Sequence, residues 1–304
     1  MNRSTSIWMT SRENPASTSF ATEPWADRLA PPELDDTPVA SSSIPMRGAD
    51  LFAQLVKDAA SSRVPLRDLS IFHRWVMVKT DRWSFAPHYC AGNLHQEESD
   101  VPEDFSSWLG WAAVDVARRM LASGNPTHRS IGLACLKAAL PIPAQAEERD
   151  SLDILAPLAT RMRTLVIGLF PQARVWKKQG WRVTILEPGP DGNVEWPSHP
   201  DVRSAELVVA SGSILLGGWL RDMVRHTPLA KARFLVGPTV PPSRKLFHMG
   251  VHGLGFSEVR DSGALTEHFR RGGVFLRGAP AEAIRKYHWF CRPGFLEELA
   301  RSAI

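Results

Sequence analysis

Residues 207–242 constrain the fold of this chain most, because they place a helix-like segment between two apolar segments of strand length. The first apolar segment ends at Ser211-Gly212-Ser213, and the second ends at Gly237-Pro238-Thr239. Strands that are apolar on both faces and joined by a crossover of this length are typical of a parallel sheet. The sequence therefore predicts a βαβ unit with both small-residue loops at the carboxyl edge of the sheet, where open α/β sheets bind ligands.

The same alternation of strand-like and helix-like segments continues on both sides of this unit. It predicts a doubly wound, mostly parallel, Rossmann-like sheet in the carboxyl-terminal half. The predicted strands outside the unit are 163–168, 182–187, 255–259 and 274–276, and the predicted helices are 172–179, 243–249 and 264–271. Residues 281–304 are expected to form one or two closing helices.

The amino-terminal half has a different pattern, in which aromatic strands are surrounded by helices. Strands at 69–78 and 82–89 are predicted to pair as a hairpin, and helices are predicted at 47–61, 106–121 and 129–140. Pro141 and Pro143 end the last of these helices, since proline lacks an amide donor.

Three regions follow from these patterns. Residues 1–45 are rich in Ser, Thr and Pro without a helical or strand period, and are expected to be a disordered or loosely docked tail. Residues 46–150 are expected to form an α+β domain. Residues 151–304 are expected to form the Rossmann-like domain with a helical extension.

Charge and cysteine content narrow the classes of partner. The net charge of +4 comes from 36 basic and 32 acidic residues spread along the chain, so the clustered basic surface of a nucleic-acid-binding protein is not expected. No apolar segment reaches the length of a membrane span. The odd number of cysteines (Cys90, Cys135 and Cys291) fits reduced thiols, and we expect a cytoplasmic protein. The sequence is compatible with a homo-oligomer.

The first strand-to-helix turn of the Rossmann-like region contains Gly168, Phe170 and Pro171. A dinucleotide fingerprint needs further glycines for the approach of the pyrophosphate and for helix packing, so classical NAD binding is disfavoured. Glu187 ends the next strand, where nucleotide-binding folds place a carboxylate near ribose hydroxyls. The alternative for Glu187 is a solvated carboxylate at a strand end.

The loops Ser211-Gly212-Ser213 and Gly237-Pro238-Thr239 offer backbone amides and hydroxyls suited to a carboxylate, a phosphate or a polar heterocycle. The alternative is a pair of ordinary tight turns. Because the two loops follow neighbouring strands, we expect them to form one site.

His88, Cys90 and His95 could together bind a transition metal, since zinc sites use these side chains. Their spacing matches no standard structural zinc site, and a free cysteine is more often a small buried apolar residue.

Several segments together resemble the putative heavy-metal chelation family. They are VIGLFP, VTILEP with Glu187, VVASGSILLGG, FLVGPTVP and MGVHGLGFSEV, preceded by NPTHRSIGLACLKAAL. The resemblance implies an enolase amino-terminal-like domain followed by a Rossmann-like domain, with a ligand cleft between them.

Carried over by position, the resemblance implies a cleft lined by the strand-end residues. These are Gly168, Phe170, Pro171, Glu187, Ser211, Gly212, Ser213, Gly237, Pro238 and Thr239. Two positions depart from the family pattern, because this chain has Gly217 or its neighbour, and Lys137, where the family has asparagine.

The sequence supports three functional hypotheses. The leading one is a protein that binds a small molecule or a metal chelate in the cleft, within metal-chelator or cofactor metabolism. The alternatives are a non-catalytic metal-binding or metal-delivery protein, and a protein–protein scaffold that has lost the ancestral chemistry. Whether the protein is an enzyme remains open, because no common catalytic motif occurs in the sequence.

Overall fold

The structure is a computed structural model and describes residues 49–88, 105–123, 125–187, 196, 200–273 and 278–302. Its helices are α1 (Ala49–Asp58), α2 (Ala113–Ala122), α3 (Pro126–Ala139), α4 (Ser151–Ala159), α5 (Pro171–Lys178), α6 (Pro200–Arg203), α7 (Ser213–Leu216), α8 (Leu220–His226), α9 (Lys245–His248), α10 (Ser262–Arg270) and α11 (Phe295–Ser302). Its strands are β1 (Asp68–Ile71), β2 (Trp75–Lys79), β3 (Trp83–Pro87), β4 (Glu147–Glu148), β5 (Thr164–Ile167), β6 (Val183–Leu186), β7 (Leu207–Ser211), β8 (Ala232–Val236), β9 (Gly253–Val259) and β10 (Ile284–Phe290).

The amino-terminal half contains α1, α2 and α3 and a three-stranded antiparallel sheet in the order β1-β2-β3. The predicted strand over 69–78 is two strands, because the chain reverses at His73-Arg74. Phe72 and Trp75 exchange backbone hydrogen bonds around that reversal, with N–O distances of 2.7 and 3.4 Å. The predicted hairpin is therefore a three-stranded meander.

The predicted helix over 106–121 is also divided in two. A 3₁₀ turn covers Phe105–Trp108, and α2 begins only at Ala113. The intervening segment pairs with residues 64–66 instead of continuing the helix: Gly110 donates to the Leu66 carbonyl, and Leu66 donates to the Trp111 carbonyl. Gly110 permits this break because its φ is +88°.

Helix α3 is the most buried helix of the amino-terminal half, with every residue from Arg129 to Ala139 buried. It begins at Pro126, earlier than the predicted start, because the Asn125 side chain caps it. The Asn125 carboxamide oxygen accepts from the amides of Thr127 and His128 at 2.8 and 3.1 Å. The small residues of α3 permit close packing, and Gly132 contacts Leu121 of α2.

The carboxyl-terminal half is built on a seven-stranded sheet in the order β4-β10-β9-β8-β7-β5-β6. Strands β5 to β9 are parallel to one another, as predicted, and β10 and β4 add antiparallel strands at one edge. The predicted α/β fold class with a mostly parallel sheet is confirmed. The division into domains near residue 150 stays a prediction.

Two segments of this half differ from the sequence prediction. Residues 284–290, expected to be helical, form β10 because their aromatic residues pair with β9, whereas the closing helix α11 is present as expected. The crossover helix after β7 is broken into α7 and α8 at Gly217-Gly218, where Gly218 has a φ of +74°. The predicted strand 274–276 lies outside the described residues.

An aromatic cluster joins the two halves of the molecule. Trp75 stacks on Phe269 of α10 with ring centroids 5.0 Å apart, and Phe85 contacts both rings. The indole nitrogen of Trp75 also donates to the Gly273 carbonyl at 2.8 Å. Residues far apart in sequence are thus held together by packing that excludes water.

Candidate functional site

The carboxyl ends of β5, β7 and β8 lie side by side at one edge of the large sheet. Ile167 of β5 is in register with Ala210 of β7, and Ser211 is in register with Val236 of β8. Strand β6 lies on the other side of β5, so the chain order reverses between β5 and β7. Ligands of open α/β sheets bind in the crevice at such a reversal. The strand-end loops are therefore brought together as predicted.

Gly168 and Ser211 touch across this reversal. Gly168 is buried with a φ of +108°, and a β-carbon placed on it would lie 2.8 Å from the Ser211 β-carbon. Glycine is required here for two reasons, since the backbone is in a region that other residues avoid and the space is occupied. The approach of the two loops depends on the missing side chain.

The loop after β7 presents two hydroxyls close together. The Ser211 hydroxyl oxygen accepts from the Ser213 amide at 3.3 Å and lies 3.0 Å from the Ser213 hydroxyl. Both serines are half-buried, and α7, which begins at Ser213, has only four residues. The groups of this loop that can bind a ligand are the two hydroxyls, which can both donate and accept hydrogen bonds.

The loop after β8 packs against the loop after β7. A β-carbon on Gly212 would lie 2.9 Å from the Val240 amide nitrogen, and Gly237 adopts a φ of +128°. Pro238 is half-buried, whereas Thr239 is only 2% exposed. A ligand in the crevice would therefore meet the backbone of this loop before it met the Thr239 hydroxyl.

The loop after β5 adds apolar surface beside the hydroxyls. Leu169 is 56% exposed, and Phe170 is half-buried against the core of the large sheet. Pro171 occupies the first turn of α5, where its missing amide hydrogen costs nothing. An exposed leucine next to a half-buried aromatic ring suits the apolar face of a ligand.

Glu187 follows β6 at the outer edge of the parallel strands. Its carboxylate accepts from the Arg174 guanidinium at 2.7 Å, and its side chain is 39% exposed. The carboxylate is thus paired with Arg174 at the surface, at the end of the strand next to β5.

Only one residue of the predicted metal site lies within the described residues. Cys90 and His95 lie outside them. The ring nitrogens of His88 lie 3.1 Å from the Phe72 carbonyl and 3.0 Å from the Thr127 hydroxyl, and burial lowers the pKa of this histidine. Within the described part of the chain, no group of three His, Cys, Asp or Glu side chains could hold a metal ion. The metal site remains a hypothesis.

Lys137 is a buried lysine for which the sequence predicted no role beyond a departure from the family pattern. It is 4% exposed, and its side-chain nitrogen donates to the Phe85 carbonyl of β3 at 2.7 Å and to the Pro238 carbonyl of the loop after β8. Burial, followed by the positive charge of Arg82, lowers the pKa of Lys137 to about 7. A lysine inside the apolar segment LACLKAAL was the signal that could have identified it.

A cleft of about 440 Å³ lies apart from the strand-end residues. The carboxyl ends of α1 and α3 and the turn between β2 and β3 form it, with Asp58, Arg82 and Leu140 in its wall. No sequence pattern predicted it, because three distant segments combine to make it.

The parallel sheet, its reversal of strand order and the loops beyond it define a Rossmann-like α/β protein with an antiparallel extension. The family resemblance is confirmed over residues 150–285, which match the model of the family described as "DUF364: Putative heavy-metal chelation". This family-matching region contains every predicted ligand-binding residue.

Two solved structures of this family have a similar fold. A protein of unknown function from Desulfitobacterium hafniense DCB-2 is 17% identical, with a TM-score of 0.61 over 79% of this chain and 97% of its own. A protein of unknown function from Pyrococcus horikoshii is also 17% identical, with a TM-score of 0.59 over 81% of this chain and 100% of its own. At this identity the likeness supports the fold alone. No curated protein matches the sequence.

Within the described residues, no helix has the length and apolar character needed to span a membrane.

Proposed function

We propose that this protein binds a small organic molecule, free or as a metal chelate, at the loops that follow β5, β7 and β8. The observation that carries the proposal is the half-buried hydroxyl pair of Ser211 and Ser213 at the reversal of strand order. The name of the matching family, heavy-metal chelation, agrees with a chelating or chelated ligand.

The chemistry of the loops favours a ligand that is polar on one side and apolar on the other. The serine hydroxyls can bond a carboxylate, a hydroxyl or a ring nitrogen, and they give directional recognition. Leu169 and Phe170 beside them offer apolar contact to a ring. Transition metals in proteins are bound mainly by thiolate, imidazole or carboxylate groups. These loops offer neutral hydroxyls and apolar side chains instead, which favours an organic ligand.

The direct test is a thermal-shift screen with metal ions alone, chelators, their metal complexes, pterins and nucleotides. A ligand that binds only the folded state raises the melting temperature, because binding adds RT ln(1 + [L]/Kd) to the free energy of unfolding. We expect one organic class to raise it, and the variant with both Ser211→Ala and Ser213→Ala to lose most of that shift.

Ser204→Ala is the matched control, since Ser204 is a half-buried serine just before β7, at the opposite edge of the sheet. It should respond to the ligand like wild type. An equal ligand response in the double serine variant and in wild type would refute the site, and no shift from any class would refute the function.

Glu187→Gln tests whether the carboxylate beside the crevice contacts the ligand. If it does, losing a charge-assisted hydrogen bond worth about 1.5 to 3 kcal/mol should weaken affinity roughly 10- to 150-fold. Stability should change by less than about 1 kcal/mol, because exposed ion pairs such as Arg174–Glu187 contribute little. Calorimetry with the ligand class found in the screen measures the first value, and urea unfolding measures the second. Unchanged affinity would remove Glu187 from the site.

A further inference from the structure

The side-chain nitrogen of Lys137 forms hydrogen bonds to both halves of the molecule. Its nitrogen donates to the Phe85 carbonyl in the small sheet and to the Pro238 carbonyl at the carboxyl end of β8. The acceptors are 52 and 101 residues away in sequence. The state of this one nitrogen therefore affects a contact between α3, β3 and the loop after β8.

The two carbonyls match the hydrogens of a neutral amine. An uncharged lysine nitrogen has two N–H donors, whereas the ammonium has three and needs a further acceptor. The Phe85 ring lies 4.8 Å from the nitrogen and attracts the charged ammonium form by a cation–π interaction. Burial disfavours the same charged form.

The charged groups that face Lys137 do not neutralise an ammonium. The Arg82 guanidinium donates to the Lys137 carbonyl at 2.7 Å and brings a second positive charge. Glu258 lines the same cavity of about 20 Å³ as Lys137, and its carboxylate accepts from the Tyr287 hydroxyl at 3.1 Å. Burial lowers the pKa of Arg82 and the Glu258 carboxylate opposes that effect, so the negative charge of Glu258 is shared with the Arg82 guanidinium. The Ser84 hydroxyl, 6% exposed and without a hydrogen-bond partner, also lines this cavity.

Other charged side chains on the elements packed against α3 are at least partly exposed: Lys79 on β2, and Asp115, Arg118 and Arg119 on α2. Helix α7, which also packs against α3, has no titratable side chain. An ammonium at Lys137 is therefore poorly compensated unless water reaches it.

The loop after β8 has an uncrowded glycine at its start and a residue packed against the neighbouring loop further along. Gly237 has a φ of +128°, and a β-carbon on it would meet nothing within 4 Å. Val240 closes the loop by donating to the Gly237 carbonyl at 3.2 Å. Because Gly212 packs directly on Val240, a change in this loop reaches the loop after β7.

We propose that Lys137 is a proton switch: the neutral amine holds the loop after β8 against β3, and uptake of a proton opens that loop and widens the strand-end crevice. The functional consequence of the opening, namely easier access of a ligand to the crevice, rests on the proposed function. The switch itself needs no ligand. The proton comes from solvent, and the only covalent change is the conversion of an amine to an ammonium.

The direction in which pH shifts the opening equilibrium follows from the linkage between proton binding and loop opening. The closed state lowers the pKa of Lys137 from 10.5 to about 7, whereas a solvated lysine in the open state regains its ordinary value. The open state therefore binds more protons between these values, so opening becomes less favourable as pH rises through that range. Below about pH 7 both states are protonated and the equilibrium no longer depends on this group.

Hydrogen exchange of the full chain, read by mass spectrometry on peptides covering 237–243 and corrected for intrinsic rates, tests the switch. Between pH 8.5 and pH 6 the wild-type opening equilibrium should rise roughly 10- to 30-fold. Lys137→Met cannot be charged and should lose this dependence. Lys231→Met is the matched control, since it removes a lysine just before β8 at the opposite edge, and it should behave like wild type.

Lys137→Arg, which stays protonated, should exchange rapidly at both pH values if it folds. If the variants fail to fold, the hydrogen-exchange measurement on wild type is sufficient to test the switch. Equal protection of residues 237–243 from exchange at both pH values, or greater protection at pH 6, overturns the proposal. A lysine side-chain NMR titration that gives Lys137 its ordinary pKa also overturns it. Neither result depends on the Ser211 and Ser213 screen, so the two proposals fail separately.

Discussion

At the residue scale, the strand-end site depends on side chains that are missing as much as on those that are present. Gly168 lets β5 end against Ser211, and Gly212 lets the loop after β7 touch Val240. The hydroxyl pair is placed by these approaches, because Ser211 and Ser213 belong to the segment that both glycines bring together. Substitutions at the glycines should therefore reveal how tightly the loops are fitted.

Gly168→Ala should be more destabilising than alanine at another glycine with positive φ. Both changes impose backbone strain of about 1 kcal/mol, but at Gly168 the new methyl group would also lie 2.8 Å from the Ser211 β-carbon. We expect a loss of about 2 to 4 kcal/mol, typical of strain combined with overpacking. Gly180→Ala is the control, since Gly180 has a φ of +82° and open space around it. Equal losses in urea unfolding would contradict the Ser211 contact.

Lys137 should also affect global stability in a pH-dependent way. The unfolded chain has the ordinary lysine pKa of 10.5 and the folded chain a pKa near 7, so the unfolded state binds more protons between them. The free energy of unfolding of wild type, relative to Lys137→Met, should therefore increase from pH 7 to pH 9.5. Urea unfolding at several pH values measures this difference, and a flat or falling difference would contradict a buried, uncompensated amine.

At the element scale, α3 is the part of the amino-terminal half that meets the strand-end site. It packs against α2, β2 and β3 and also contacts α7, and it carries Lys137 to the loop after β8. Its amino-terminal end is held by the Asn125 cap, which satisfies the amides of Thr127 and His128. Weakening the cap should therefore be visible as a loss of stability.

Asn125→Ala should destabilise the protein by about 1 kcal/mol, within the range of 0.5 to 2 kcal/mol for lost helix caps. The change leaves the amides of Thr127 and His128 without the carboxamide oxygen that they now share. Asn125→Ser is the control, since serine also caps helices well and should keep most of the stability. A loss as large in the serine variant as in the alanine variant would show that the cap is not the cause.

At the scale of the whole molecule, the two sheets share one aromatic cluster. Trp75 and Phe85 come from the small sheet, and Phe269 comes from α10 beside the large sheet. Packing of this kind makes the halves stabilise each other, although the sequence predicts separate domains.

Phe269→Ala should cost about 3 to 5 kcal/mol, because a large buried ring leaves a cavity. Since the ring contacts both halves, wild type should unfold in one cooperative transition. Urea unfolding followed in parallel by tryptophan fluorescence and by far-ultraviolet circular dichroism checks both points. Leu229→Ala, at a side chain that is 61% exposed, is the control and should cost little. Two separated transitions in wild type would show that the cluster does not couple the halves.

Local patterns in the sequence determined the mostly parallel sheet, the order of its elements along the chain and the edge at which the loops after β5, β7 and β8 lie. Those features follow from apolar strands alternating with helices, which sequence periodicity reports directly. The tertiary structure alone decided the features that depend on distant partners. Residues 284–290 form a strand because they pair with the edge of β9. Residues 110–113, predicted to be helical, instead form backbone hydrogen bonds with residues 64–66. The same reason applies to Lys137, whose burial and acceptors come from three separate segments that no local pattern connects.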